Sequence, residues 1–495
     1  MDTVDRRSLF RGTAATALAV TSLPAIALTA PALAQTPAPA PGASVTRPPE
    51  VTRILGRYAA EAKAADIPAA VRKEATRTLL NWVGSAVGGS QQDAPRMAVA
   101  AVGPFSGPAQ ASLFGRRERL DIMHAALVNG ISSHVLDYDD THLRTIIHPA
   151  GPVASAIVAM AEQRPVSGLD LMTALVIGIE VECRMGNSVT PEHYAIGWHT
   201  TGSTGVFGAA AAAGRLLGLT AQQMTWALGI AASQPVGLKV QFGSMTKSFH
   251  PGQAAQNGLL SALLAQQGFT ASEVAIEGFD GWGQALSTRR DWSEVTNGLG
   301  DHYEVALNTY KPFACGIVMH PALDAVIQLH NQGIKPEQVQ SIALRVHPLV
   351  LNLTSKTDPQ SGLESKFSIY HAVAVALVTG QAGEHAFTDA MVRDPVVLGI
   401  RKRVTATVDT AIKADQVDMV VTLQDGSTVH KFIEHAVGSQ TNPMTDAQLQ
   451  EKFAGNANEI LPANQQQQLM DLCWNAWSLP DAGAIGRAGA AGSTG

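Results

Sequence analysis

Residues 205–217 read GVFGAAAAAGRLL, small or apolar at nearly every position. A helix of that character has no polar face to offer water, so it belongs among other helices. The sequence on both sides continues the pattern. Residues 170–185 make another apolar helical stretch, Thr220 is placed to cap a helix over 222–232, and residues 251–267 repeat the character. Upstream, Ile67-Pro68 marks a helix start, after which Val71, Ala75, Leu79, Leu80 and Val83 recur at helical spacing. Helical periodicity runs with few breaks from about residue 51 to about residue 285. Aromatic residues are only 5% of the chain, which favours tightly packed helices of small residues over an aromatic-rich β-sandwich.

The character changes after residue 298. Residues 341–346 and 403–408 alternate as strands do, and 418–423, Asp425-Gly426 and 428–433 read as a hairpin with a tight turn. Helical pattern returns at Thr445, which is placed to cap residues 447–453, and again over 463–477. The predicted fold class is mainly α. A large helical domain spans 51–298, a smaller α+β lid domain is inserted at 299–435, and C-terminal helices over 436–479 return to the helical domain. Residues 480–495 are Gly/Ala-rich and read as a disordered tail. A cleft between two such units is a common place for a small-ligand site.

The chain has 495 residues and a formal net charge of −6. A protein that binds nucleic acid through phosphate contacts carries a basic excess or a dense basic patch, and neither is present. Arg6-Arg7, with Leu9-Phe10 close behind, precedes an uncharged stretch that ends in Ala32-Leu33-Ala34. A charged start, an apolar middle and a small-x-small end predict an export signal over 1–34, of the twin-arginine type. Pro24, Pro31 and weak Ala/Thr hydrophobicity make the same stretch a poor membrane anchor, so no stable membrane insertion is expected once the signal is removed. The Pro/Ala-rich residues 35–50 read as a linker, and the mature protein is expected in the periplasm. Cys183, Cys315 and Cys473 are far apart, so the sequence holds no disulfide framework and no CxxC metal pair.

The densest polar cluster is Asp137-Tyr138-Asp139-Asp140-Thr141-His142, followed by His148-Pro149. Three acids within four residues repel one another unless something positive neutralises them, so some of their pKa values should rise. Solvated cap acids, a Mg²⁺-binding motif and a proton-transfer site all fit this pattern; the Mg²⁺ version wants a second Asp-rich motif, and Asp280 and Asp301 stand alone. Gly197-Trp198-His199-Thr200-Thr201-Gly202 puts a His before the small-residue helix, where a helix N-terminus favours an anion. Lys247 sits in a stretch bounded by Ser, Pro and Gly, read as a loop between buried helices, where a lysine needs a partner. Lys311, His320-Pro321 and the run Lys366-Phe367-Ser368-Ile369-Tyr370-His371 add cations and a phenol. Several Lys and His residues around an acidic group suit a substrate with two or three carboxylates, with a His or Asp moving a proton beside one of them. No P-loop, no GxGxxG after a strand and no GxSxG elbow appears.

In this order the blocks resemble the MmgE/PrpD family, which includes 2-methylcitrate dehydratases, cis-aconitate decarboxylases and iminodisuccinate epimerases. The resemblance spans about residues 51–470 and rests on Ala125-Ala126, Asn129-Gly130, His134 through Thr141, His148-Pro149, residues 197–202, Met245-Thr246-Lys247, Tyr310-Lys311-Pro312 with Cys315 and His320-Pro321, and Ser365-Lys366-Phe367-Ser368 with Tyr370. It implies a homodimer with a helical body and a lid, and no metal or other cofactor. It also implies a catalytic set of Asp137, His148, His199, Lys247 and Tyr370, with Thr141, His199, Lys247 and Lys311 binding substrate. Asp137 and His148 are the candidates for proton transfer, and Tyr370 is expected to close the site. The activity implied is a lyase that abstracts a proton α to a carboxylate and eliminates water or CO₂. An epimerase using the same site, and a non-catalytic periplasmic polycarboxylate-binding protein, are the other readings.

Overall fold

Glycine and alanine let the helices of the body approach closely. In the computed structural model, the helix Thr200–Leu217 is buried on every side from Thr200 to Gly214, as its composition predicts. It packs against Ala150–Gln163, Gly168–Val189 and Thr246–Gln266. A Cβ on Gly258 would stand 2.6 Å from the carbonyl oxygen of Val206, closer than any side chain tolerates. The structure describes residues 50–492. The export signal read over 1–34 and the linker up to residue 49 lie outside the described residues. Among those described, no helix is long and apolar enough to cross a membrane.

The predicted helices form with small shifts at their ends. The helix behind Pro68 runs Ala69–Gly89, and Thr220 and Thr445 each close a reciprocal capping box on the helices Ala221–Ala231 and Asp446–Ala457. Two expectations are corrected. The stretch around Lys247 is not a loop, because the helix begins at Thr246 and carries Pro251 inside it. Pro251, the sixth residue of the helix, fits helical φ but removes the hydrogen bond to the Lys247 carbonyl, and its ring lies against Gly151. The tail is not disordered over its described part. Residues Gly483–Gly489 form a helix in which Ile485 is fully buried, and Gln465 Nε2 donates to the carbonyls of Ala488 and Ala490 at 2.7 Å. Its glycines serve close contact, since a Cβ on Gly483 would fall 2.4 Å from the carbonyl oxygen of Ala161.

The α+β portion is built on one four-stranded sheet in the order Val404–Val408, Val339–Val346, Val417–Leu423, Thr428–Ile433. The first pair is parallel and the other two antiparallel. The predicted hairpin turns at Asp425-Gly426, where Gly426 takes a φ of +85°. Helices His320–Asn331 and Ile369–Thr379 cover one face. A short antiparallel pair, Asp140–His142 with Asn308–Tyr310, ties the end of the acidic cluster to the segment that leads into Lys311. That pairing positions the site.

Candidate active site

The helix Ile122–Val135 ends just before the acidic cluster, and Asp137 turns the chain through a φ of +51°. This left-handed geometry is rare for residues with a side chain, although Asp tolerates it. The turn aims the Asp137 carboxylate at two cations. Lys247, on the first turn of Thr246–Gln266, places Nζ 2.7 Å from Asp137 Oδ1, and Lys311 places Nζ 2.6 Å from the same oxygen. Lys247 is 7% exposed and Lys311 1%. Burial alone would raise the Asp137 pKa, but the two ammonium groups outweigh it and hold the carboxyl well below its usual range. Burial lowers the Lys247 pKa, and Asp137 offsets part of that.

The three acids therefore take different roles. Asp139 Oδ2 accepts from His134 Nδ1 at 2.6 Å. Asp140 Oδ2 accepts from the Ala150 amide at the start of Ala150–Gln163 and from Asn308 Nδ2. Burial, followed by the charge of Asp139, pushes Asp140 up to about 7. The predicted rise thus falls on the capping acid, and Asp137 moves the opposite way.

Three histidines complete the floor. His148 Nδ1 donates to the Asp140 carbonyl at 2.7 Å, and its backbone amide donates to Thr201 Oγ1 at 3.1 Å. His199, at the N-terminus of Thr200–Leu217, pairs Nδ1 with Nδ1 of His250 at 2.9 Å. Burial holds His134, His148 and His199 below the usual imidazole pKa, so they are neutral. A carbonyl and a carboxylate only accept, so Nδ1 of His148 and of His134 carries the proton. The His134 and His148 rings therefore present an Nε2 lone pair.

A narrow cleft opens over these groups, lined by Asp137, His148, Tyr194, His199, Lys247 and Lys311 among others. Phe242 and Phe367 stack at 5.6 Å to form an aromatic wall, and the Lys247 ammonium lies 5.3 and 5.5 Å from their ring centroids. Two further buried lysines tie the loops together around the cleft. Lys366 Nζ donates to the carbonyls of Leu136 and Ala314, and Lys452 Nζ donates to those of Tyr138 and Lys311 and to Asn81 Oδ1. The residues on each side of Asp137 are thus joined to the Lys311 segment. Burial lowers Lys366 to about 8 and Lys452 to about 7.

Of the residues singled out in the sequence, Asp137, His148, His199, Lys247 and Lys311 meet around the cleft. Thr141 is fully buried with Oγ1 3.3 Å from His148 Nδ1, so it supports that ring and does not line the cleft. Tyr370 is not brought to the cleft lining either. It packs, partly buried, against the core of the α+β portion, and the phenol that lines the cleft belongs to Tyr194. Sequence reasoning gave no signal for Tyr194 or Phe242. Lys452 lies on a helix with many polar residues, where a lysine reads as solvated. His134 had one available signal, its place one helical turn before Asp137.

Comparison with known proteins matches residues 53–295 to the MmgE/PrpD N-terminal domain and residues 313–476 to the MmgE/PrpD C-terminal domain. A cis-aconitate decarboxylase of Aspergillus terreus is 27% identical over 454 residues, covering 85% of this chain and 92% of the relative. A cis-aconitate decarboxylase of Mus musculus is 27% identical over 403 residues, covering 77% and 82%. A 2-methylcitrate dehydratase of Cupriavidus necator is 27% identical over 165 residues, covering 30% and 34%.

Proposed function

We propose, from the premise that this chain belongs to the MmgE/PrpD family, that it is a lyase acting on a small di- or tricarboxylate. The observation that carries the reading is the meeting of two buried ammonium groups, on one oxygen of Asp137, with neutral imidazoles in the same cleft. Lys247 and Lys311 bind substrate carboxylates, and Asp137 fixes the spacing of the two ammonium groups. Asp137 Oδ1 is already taken up by two ammonium groups, so the base is the neutral imidazole of His148, whose Nδ1–H is held by the Asp140 carbonyl and whose Nε2 lone pair is left for the substrate.

In the elimination, His148 Nε2 takes the proton α to a carboxylate. The C–H electron pair becomes the new C=C bond, and hydroxide leaves the adjacent carbon, protonated as water by an acid in the cleft. In the decarboxylation, the C–CO₂ bond supplies that electron pair as CO₂ leaves, and the carbon that gains electron density takes a proton drawn from water through the cleft. Both routes build negative charge on a substrate carboxylate, where the preorganised ammonium groups stabilise it. The relatives named as decarboxylase and dehydratase support both routes for this chain. We further propose that the enzyme acts in the periplasm after twin-arginine export, and as a homodimer.

The test is incubation of the purified protein with a panel of hydroxy- and unsaturated di- and tricarboxylates in D₂O. A new alkene or released CO₂ is the expected result. Deuterium entering otherwise unchanged substrate would identify an epimerase, and binding without exchange a carrier. Lys247→Met and Lys311→Met should each lower kcat by roughly 10²–10³-fold, as loss of an electrostatic donor does. Wild-type turnover in both variants would place the reaction elsewhere.

A further inference from the structure

Three imidazoles of this cleft face one another. The ring centroids of His134 and His148 are 4.7 Å apart, those of His134 and His199 5.8 Å, and those of His148 and His199 6.0 Å. Each offers a ring nitrogen within 4.8 Å of the others. Three imidazoles bound to one tetrahedral zinc at about 2.0–2.1 Å hold their ring centres roughly 5 Å apart. The observed triangle is close to that figure.

The surroundings of the rings also match a metal site. Ligating histidines donate their second N–H to a carboxylate, a carbonyl or another polar group, which fixes the tautomer and the ring plane. Here His134 Nδ1 donates to Asp139 and His148 Nδ1 to the Asp140 carbonyl, while His199 Nδ1 shares one proton with His250 Nδ1. The Nε2 atoms of His134 and His199 are buried and have no hydrogen-bond partner. The three residues are 1%, 4% and 1% exposed, so their rings are screened from water. Imidazole donors suit zinc and its first-row neighbours rather than magnesium or calcium. Asp139, behind His134, is the nearby anion, and Asp137 partly neutralises the two neighbouring lysines.

We propose that His134, His148 and His199 form a binding site for a divalent cation of the zinc type, and that an ion held there blocks the polycarboxylate cleft. The blocking half rests on the lyase reading above. His148 and His199 line the same cleft as Lys247 and Lys311. An ion on Nε2 would occupy the lone pair that accepts the substrate proton, and would draw substrate carboxylates off the lysines. The ion is an inhibitor and has no part in the reaction.

Cobalt(II) is the optical probe, because nitrogen-bound tetrahedral Co²⁺ absorbs strongly in the visible while hydrated Co²⁺ does not. Titration of the purified protein in a non-chelating buffer should produce that band in a 1:1 ratio, and Zn²⁺ should abolish it by displacement. Zn²⁺ should also raise the Tm. His134→Gln and His199→Gln should lose the band. Asp139→Asn keeps all three rings and should weaken Zn²⁺ binding about 10–100-fold; it decides the matter if the histidine variants fail to fold. Absence of the band in the wild type, or unchanged Zn²⁺ affinity in Asp139→Asn, overturns the site. Blocking is read as loss of tricarboxylate binding and turnover at buffered free Zn²⁺. Zinc bound with both unchanged overturns that half alone. A protein that binds no polycarboxylate at any zinc level removes the lyase reading and the blocking half together, while the cobalt band still reports on the ion site.

Discussion

Asp137 Oδ1 lies 2.6 Å from Lys311 Nζ with both side chains almost wholly removed from water. Lys247 reaches the same oxygen, so one carboxylate serves two ammonium groups and the trio carries excess positive charge. Asp139 Oδ1, 3.9 Å from Lys311 Nζ, is the other nearby anion, and an arriving substrate carboxylate meets ammonium groups already in place. Asp137 Oδ2 is buried with no hydrogen-bond partner, so the pairing is concentrated on one side of the carboxylate.

Asp137→Asn should therefore be costly. Asn accepts the left-handed backbone at this position as readily as Asp, so the substitution removes charge and little else. Two buried ammonium groups lose their anion, and breaking such a pair costs about 3–5 kcal/mol. A thermal melt should show a clear fall in Tm together with loss of turnover. An unchanged melt would mean that the lysines are not held as described.

Lys452→Met tests the support around the cleft. The variant leaves the carbonyls of Tyr138 and Lys311 without their shared donor, so the spacing of Asp137 and Lys311 relaxes. Small misplacements of reacting groups cost up to about 10²-fold in rate. The expected result is a fall in kcat with a smaller change in KM, partly restored in Lys452→Arg. Equal loss in both parameters, with no rescue, would reduce Lys452 to a packing residue.

Acid should unfold the protein through its histidines. Burial leads the causes that lower His134, His148, His193, His199, His250, His320 and His371. Below the unfolded value near 6.5 the unfolded chain binds protons that the folded chain does not, so stability rises with pH up to about 6.5 and falls on acidification. Asp140, Glu180, Glu182 and Glu384 are raised and act in the opposite sense, but the histidines outnumber them. Each net proton is worth about 1.4 kcal/mol per pH unit. Denaturant midpoints measured from pH 7 to pH 4 should fall steadily; a flat profile would contradict the burial of these rings.

Export is checked in cells. The precursor carrying Arg6→Lys and Arg7→Lys should remain in the cytoplasm at full length, while the unaltered chain is shortened and recovered from the periplasm. Equal distribution of the two forms would refute the twin-arginine reading.

Much of the fold was legible because its signals are local. Periodicity placed the helices, and Asp425-Gly426 between alternating stretches placed the hairpin. The chemistry-bearing residues Asp137, His148, His199, Lys247 and Lys311 were legible by type and by block order. What stayed hidden depends on packing between distant segments. Tyr194 and Tyr370 are both tyrosines near helix starts, and only tertiary structure decides which faces the cleft. Lys452 has no sequence mark that separates a lysine buried on three oxygens from one in water. The tail misled because Gly and Ala signal flexibility in a linker but close contact in a packed helix.

That last helix has a practical consequence. Trimming the chain at residue 480, a natural choice for crystallisation or tagging, would strip the cover from Phe114 and Ala161 and release the side-chain amide of Gln465. The shortened protein would present a greasy scar where the native one is sealed, and poor yield would be its first symptom. A purification handle belongs after Ala491, whose amide still donates to the Arg116 carbonyl.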